Sequence, residues 1–259
     1  MTPTPVVTRP RAAEANKQAE IRSHERDSRD RPAVWTKPFH LEWGAQYWIK
    51  WGAVDYALGA LQVPEGSRVL DVGCGQGWTS VFLAESGFEV TGIDIAPANI
   101  RLAEERARRW GLESARFIEA DMDDFAIEER FDLVLVFDAL HHTARQSEVV
   151  ASLAGHLAPG GWVIFGEPSW LHGVSPKARK VHREDGWIER GIGLRGLKRD
   201  CSAAGLGNFR RFFEGVGPYE SRVRSFSWQL ARLVGANFAV APQSSIWLAA
   251  QKLETGDSV

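Results

Sequence analysis

The sequence predicts an α/β fold, a seven-stranded sheet with helices on both faces. Three observations lead there: seven short runs rich in β-branched and aromatic residues follow Ser67, helical stretches separate the early ones, and the first run passes directly into a glycine-rich turn. The 259 residues suffice for one large domain with additions. With 44% apolar and 25% charged residues the composition is that of an ordinary globular chain, which excludes wholesale disorder, collagen-like repeats and a fibrous coiled coil. Against 31 Lys and Arg stand 33 Asp and Glu, a net charge of −2 that disfavours nucleic acid, whose phosphates call for a basic excess. The longest uninterrupted apolar run is five residues, as in Leu133 to Phe137, where a membrane span needs about 20. Cys74 and Cys201 build neither a disulfide framework nor a four-thiolate metal site, and the first residues lack the apolar stretch of a signal peptide, so a reducing cytoplasm is expected. The chain carries 11 Trp, more than packing alone usually demands, so some are expected to line a pocket.

Residues 1–33 begin MTPTPVVTRP and run through RSHERDSRDRP with almost no apolar periodicity, which predicts a mobile arm carrying one short helix near 12–21. In 34–64, Trp43, Tyr47, Trp48, Trp51, Val54, Leu58 and Leu61 recur every three or four residues, an amphipathic helix with an aromatic face, read as a helical lid. From 65 onward the strand candidates are 67–72, 88–93, 115–120, 131–137, 162–167, 209–213 and 244–251. Helices are expected at 78–86, at 97–110 with Pro97 at its start and Gly111 at its end, at 144–157, and at 193–204. Two stretches, 168–190 and 215–242, fit no regular alternation and are read as insertions over an acceptor site or, for the second, an oligomer contact.

The glycine turn Gly73-Cys74-Gly75-Gln76-Gly77 lies where a strand meets a helix and a ligand must approach backbone. A dinucleotide fingerprint would need a further glycine at 78, where the chain has Trp78. Instead Asp71 precedes the glycines and Asp94 ends the next strand, in place to accept from both hydroxyls of a ribose. The ligand thus reads as a nucleoside without a pyrophosphate.

On the ordered pieces VLDVGCGQG, VTGIDIA, EADMDDF, FDLVLVFDALHH and LAPGGWVIFGEP, the chain resembles the class I S-adenosylmethionine-dependent methyltransferases over about 66–170, with SSIWLAAQK as their closing strand. The resemblance implies a Rossmann-like sheet of six parallel strands and one antiparallel strand. It implies that Gly73, Gly75 and Gly77 contact the methionine and ribose portions of S-adenosylmethionine and that Asp71 lies near its amino group. Asp94 would hold the ribose hydroxyls, Asp121 the adenine amino group and the backbone at Met122 a ring nitrogen, with Phe137 and Asp138 beneath the methionine.

Methyl transfer from a sulfonium is chiefly a matter of alignment and exclusion of water. A hydroxyl acceptor additionally has a proton to lose. The residues after the fourth and fifth strands are therefore informative: His141 or His142 is the expected base, with Glu167 and His172 orienting acceptor or base. Asp138, His141, His142, Glu167 and His172 also form an oxygen-and-nitrogen set for a divalent ion, but no tight ligand spacing compels one, and no metal is expected. Trp43, Tyr47, Trp48 and Trp170 offer flat faces to an acceptor, which together with polar neighbours suggests a sugar. The expected activity is O-methylation of a small molecule, with N- or C-methylation of an amine or quinone-like ring as the alternative and a non-catalytic cofactor-binding module as another. The oligomeric state is not legible.

Overall fold

The computed structural model describes residues 11–30, 37–39, 44–212 and 245–253. The expected insertion at 215–242 and Trp43 lie outside the described residues. The chain order is α1 (Arg11–Asp30), α2 (Gly44–Leu61), β1 (Arg68–Val72), α3 (Trp78–Glu85), β2 (Glu89–Asp94), α4 (Pro97–Trp110), β3 (Ala115–Glu119), β4 (Phe131–Phe137), α5 (Gln146–His156), β5 (Leu157–Pro168), α6 (Pro176–Glu184), α7 (Leu194–Ala203), β6 (Leu206–Phe212) and β7 (Ser245–Lys252). One seven-stranded sheet has the order β3-β2-β1-β4-β5-β7-β6. Strands β1 to β5 pair in parallel, and β7 enters antiparallel between β5 and β6. The sheet runs outward in both directions from the β1–β4 junction, so crossovers diverge there and leave a crevice above the carboxyl ends of the strands.

The run FDLVLVF explains why β4 is central. Its side chains alternate between two cores, Val134 and Val136 on one face of the sheet and Leu133, Leu135 and Phe137 on the other, so both faces must be covered. Helix α5 covers the first face through Val149, Val150 and Leu153, joined by Leu197 and Cys201 of α7. On the second face lie Val54, Ala57 and Leu58 of α2 and Trp78 and Leu83 of α3. The Trp247 indole of β7 packs against Gly166 of β5; a Cβ there would fall 2.5 Å from the indole, which is why this interior strand position is glycine.

Helix α1 departs from the sequence reading. Residues 11–30, expected as part of a mobile arm with a short helix, form one 20-residue helix lying against α4. Its buried face is polar, comprising Asn16, Lys17, Glu20 and Ser23 with Ala19. These recur at helical spacing, but a reading based on apolar periodicity cannot register them. The stretch 168–190, expected as irregular, holds a short 3-10 turn at His172–Val174 and then α6, capped by the Ser175 hydroxyl accepting from Ala178 N–H at 3.1 Å. No helix among the described residues is long and apolar enough to cross a membrane.

Leu153 is fully buried where α5 meets the sheet. Leu153→Ala is expected to cost about 2–5 kcal/mol, measured as a lowered urea midpoint with unchanged slope.

Candidate active site

At the crevice, β1 ends in the glycine turn. The amides of Gly73 and Cys74 both donate to Ile93 O, at 2.8 and 2.9 Å, tying the turn to the end of β2. Gly73 has φ 70°, and a Cβ on it would lie 2.4 Å from that of Ala139, so only glycine fits beneath the loop that follows β4. Asp94, the last residue of β2, accepts three bonds: from Gly75 N–H at 2.9 Å, Ala96 N–H at 2.9 Å and the Asn99 amide at 3.0 Å. Its carboxylate is thus fixed in orientation at the cavity wall, with acceptor capacity left over.

The cavity extends from there in two directions. One leads past Met122 to Asp121, whose Oδ1 accepts from Asp123 N–H at 3.0 Å. The other passes Tyr47, Trp78 and Phe137 to Asp138 and His142. Helix α1 lines the same cavity through Lys17, Glu20 and His24. Lys17 bridges Asp121 and Asp123 at 2.5 and 2.6 Å, and Glu20 Oε1 lies 3.0 Å from His142 Nδ1. Burial pushes the Glu20 carboxyl up, but the His142 and His24 rings beside it outweigh that and hold it well below the usual carboxylate range. Lys50 of α2 pairs with Asp138, which the sharp loop after β4 holds at φ 50°.

Behind His142 a carboxylate chain is built into the protein. Glu167, 0% exposed at the end of β5, accepts from the amides of Ala139, Leu140 and His141 at 3.0, 2.9 and 3.3 Å. Its Oε2 also lies 2.8 Å from His141 Nδ1. On the other side of that ring, Glu189 lies 3.5 Å from His141 Nε2 and pairs with His172. Burial lowers the His141 pKa, yet the hydrogen bonds to Glu167 and Glu189 outweigh it and raise the value to about 9.

The structure therefore separates the two neighbouring histidines. His141 is enclosed, 4% exposed and held as a cation between two carboxylates, so it has no lone pair for an acceptor at neutral pH. Glu167 has its oxygens occupied by backbone and by His141, which makes it a scaffold rather than a group that touches ligand. His142 alone of the three lines the cavity. Among the described residues, His141, His142 and Glu189 bring ligand-type atoms within 4.8 Å of one another, a set that could hold a metal ion.

Of the other expected site residues, Gly73, Gly75, Asp94, Asp121, Met122, Phe137, Asp138 and Tyr47 line the cavity. Asp71 does not: it is 1% exposed and accepts from the Thr79 and Ser80 hydroxyls at 2.6 Å each, and burial pushes its carboxyl up to about 6. It buttresses the start of α3. Gly77 likewise packs against Ala103 and Phe117 behind the turn. Trp48 is 43% exposed and stacks on Phe82, Trp170 is 57% exposed, and His172 is engaged with Glu189, so of the described aromatic faces that suggested a sugar only Tyr47 lines the cavity. Sequence reasoning missed Lys17, Glu20 and His24, spaced three and four residues apart, and Glu189 beyond α6.

Comparison with known proteins follows this geometry. Residues 69–161 match the family described as "Methyltransferase domain". The chain is 35% identical over 144 residues to the ubiquinone biosynthesis O-methyltransferase of Bordetella avium, covering 54% of this chain and 53% of that protein. The chain spans about half the length of the curated relatives it matches. Among solved structures, the 1,6-didemethyltoxoflavin-N1-methyltransferase of Burkholderia thailandensis superposes with a TM-score of 0.61 at 19% identity, covering 98% of this chain and 94% of that one. The magnesium protoporphyrin IX methyltransferase of Synechocystis superposes at 0.61 with 16% identity, covering 90% and 97%. These two likenesses establish the fold.

The His141 cation gives a pH signature. Its pKa in the folded chain, about 9, lies above the ordinary 6.5, so its stabilisation is complete below pH 6.5 and is lost as pH rises through 9. At about 1.36 kcal/mol per pH unit of difference, about 3 kcal/mol should disappear across that window. Urea unfolding of the wild type is expected to lose stability from pH 6.5 to 9, and His141→Gln to show a reduced slope.

Proposed function

Because the chain carries a class I S-adenosylmethionine-dependent methyltransferase domain, we propose that it transfers the cofactor's methyl group to a hydroxyl oxygen of a small, flat, ring-bearing acceptor. The observation that carries this reading is a single cavity that joins the Asp94 carboxylate and the glycine turn to His142. The residues fit an adenosine-bearing cofactor. Asp94 is fixed by three donors and keeps acceptor capacity for ribose hydroxyls, Gly73 leaves room where a Cβ would collide with Ala139, and Asp121 and Met122 stand where adenine would be read. When bound, S-adenosylmethionine supplies an electrophilic methyl on a positively charged sulfur.

The protein's own part is to hold, exclude and deprotonate. Tyr47, Trp78 and Phe137 give the acceptor end an apolar, aromatic wall, with Tyr47 and Phe137 each edge-on to Trp78 at 5.7 and 5.6 Å. Such a wall favours a planar ring and keeps water from the reacting atoms. The O-methyltransferase names of the curated relatives support a ring hydroxyl rather than a sugar. His142, buried on one side and open to the cavity on the other, accepts the hydroxyl proton as the oxygen becomes nucleophilic.

Incubating the chain with methyl-labelled cofactor and a panel of catechols, phenols, sugars and amines is expected to place label on a catechol oxygen. Label on sugars or amines alone would overturn the acceptor reading. Asp94→Ala is expected to weaken calorimetric cofactor binding by at least about 100-fold, since it leaves three donors without their shared acceptor. His142→Ala is expected to keep cofactor affinity and to lose about 10² to 10⁴ in kcat. Prior treatment with a chelator is expected to leave turnover unchanged; a loss restored by added divalent metal would move deprotonation from His142 to an ion.

A further inference from the structure

We propose that Glu20, delivered by α1, is a positioning residue for acceptor deprotonation: its carboxylate lies against Nδ1 of His142 and stabilises the imidazolium that forms when Nε2 takes the proton. This rests on the reading of His142 as the base. Three observations carry it. The Glu20 Oε1 to His142 Nδ1 distance is 3.0 Å, an ion-pair contact without hydrogen-bond alignment, and Nδ1 is buried, so Nε2 is the nitrogen left for the cavity. The opposite restraint is Trp187, whose indole lies parallel to the imidazole at 4.6 Å and an interplanar angle of 16°, which sets the plane of the ring while Glu20 sets its rotation. Glu20 is itself buried and held between His142 and His24, so it is a fixed anion rather than a surface carboxylate. A buried carboxylate beside one imidazole nitrogen stabilises the imidazolium that forms when the other nitrogen takes a proton.

The source of this carboxylate gives the arrangement a second consequence. Lys17 precedes Glu20 by three residues on the same helical face and pairs with Asp121 and Asp123, the latter bonded to the Thr143 hydroxyl beside His142. One turn of a single helix thus supplies both the cation held by Asp121 and Asp123 and the carboxylate beside His142. Deprotonation is set up when α1 is docked, so the acceptor is activated only within a covered site.

The test uses the full chain with catechol as acceptor. Glu20→Gln, nearly the same shape, is expected to lower kcat by at least about tenfold, short of the about 10² to 10⁴ that a whole base supplies. The KM for catechol, cofactor affinity by calorimetry and the thermal midpoint should all stay within about twofold or two degrees of the wild type. Glu20→Asp is expected to recover part of the rate, and Glu20→Gln to cost nothing further in a His142→Ala background, because paired residues are non-additive. Full kcat in Glu20→Gln while His142→Ala is crippled would overturn the role of Glu20 and leave the base intact. Full activity in His142→Ala would overturn both. A readout independent of turnover is the ring-nitrogen spectrum of the cofactor-bound protein by nitrogen-15 NMR: the His142 signals should shift between the wild type and Glu20→Gln, with His156 as an unmoved control. An unchanged His142 spectrum would also refute the proposal, whether or not catechol is methylated.

Discussion

The carboxyl edge of this sheet is organised around the Glu167 carboxylate. It is sealed from water at the end of β5, yet it is matched by three amides of the loop after β4 and by the His141 ring. A buried carboxylate is costly unless its lone pairs are taken up. The loop cannot move without stranding that charge. Consequently Asp138, His141 and His142, all within five residues of the end of β4, are held in place by an interaction on their far side, away from the cavity. This is why one histidine of the pair is structural and its neighbour faces the ligand.

That division resolves two roles that adjacent identical residues leave open. The ring nitrogens of His141 are engaged by Glu167 and Glu189, so its proton is bound more tightly than in water. His142 has a carboxylate at Nδ1, an indole on its face and the cavity beyond. The two rings are only 4.0 Å apart between centroids, yet they differ completely in what they can do. Burial and partner, not residue type, set the chemistry.

Much of the fold and of the cofactor end was legible in sequence because each signal there is local. The alternation of Val134 and Val136 with Leu133 and Leu135 marks a strand buried on both faces, and the glycines followed by Asp94 mark a turn that ligand must approach. The roof was not legible. Helix α1 turns Lys17 and Glu20 inward, and helix detection keyed to apolar residues reads such a face as solvent-exposed. Glu189 was equally hidden, since it acts across the loop from His141, 48 positions earlier in the chain, and nothing near it in sequence signals the pairing. Trp48 and Trp170 misled for the opposite reason: aromatic residues that stand in solvent look in sequence like those that line a pocket.

The polar underside of α1 has an energetic consequence. A lid sealed by leucines resists lifting because hydrocarbon must be hydrated, whereas Lys17, Glu20 and Arg26 recover strong hydration when they leave Asp121, His142 and Asp185. Opening then exchanges one set of ionic partners for water at modest net cost. Dissolved salt becomes a lever on how often the cover lifts, since mobile ions compete for the same charges.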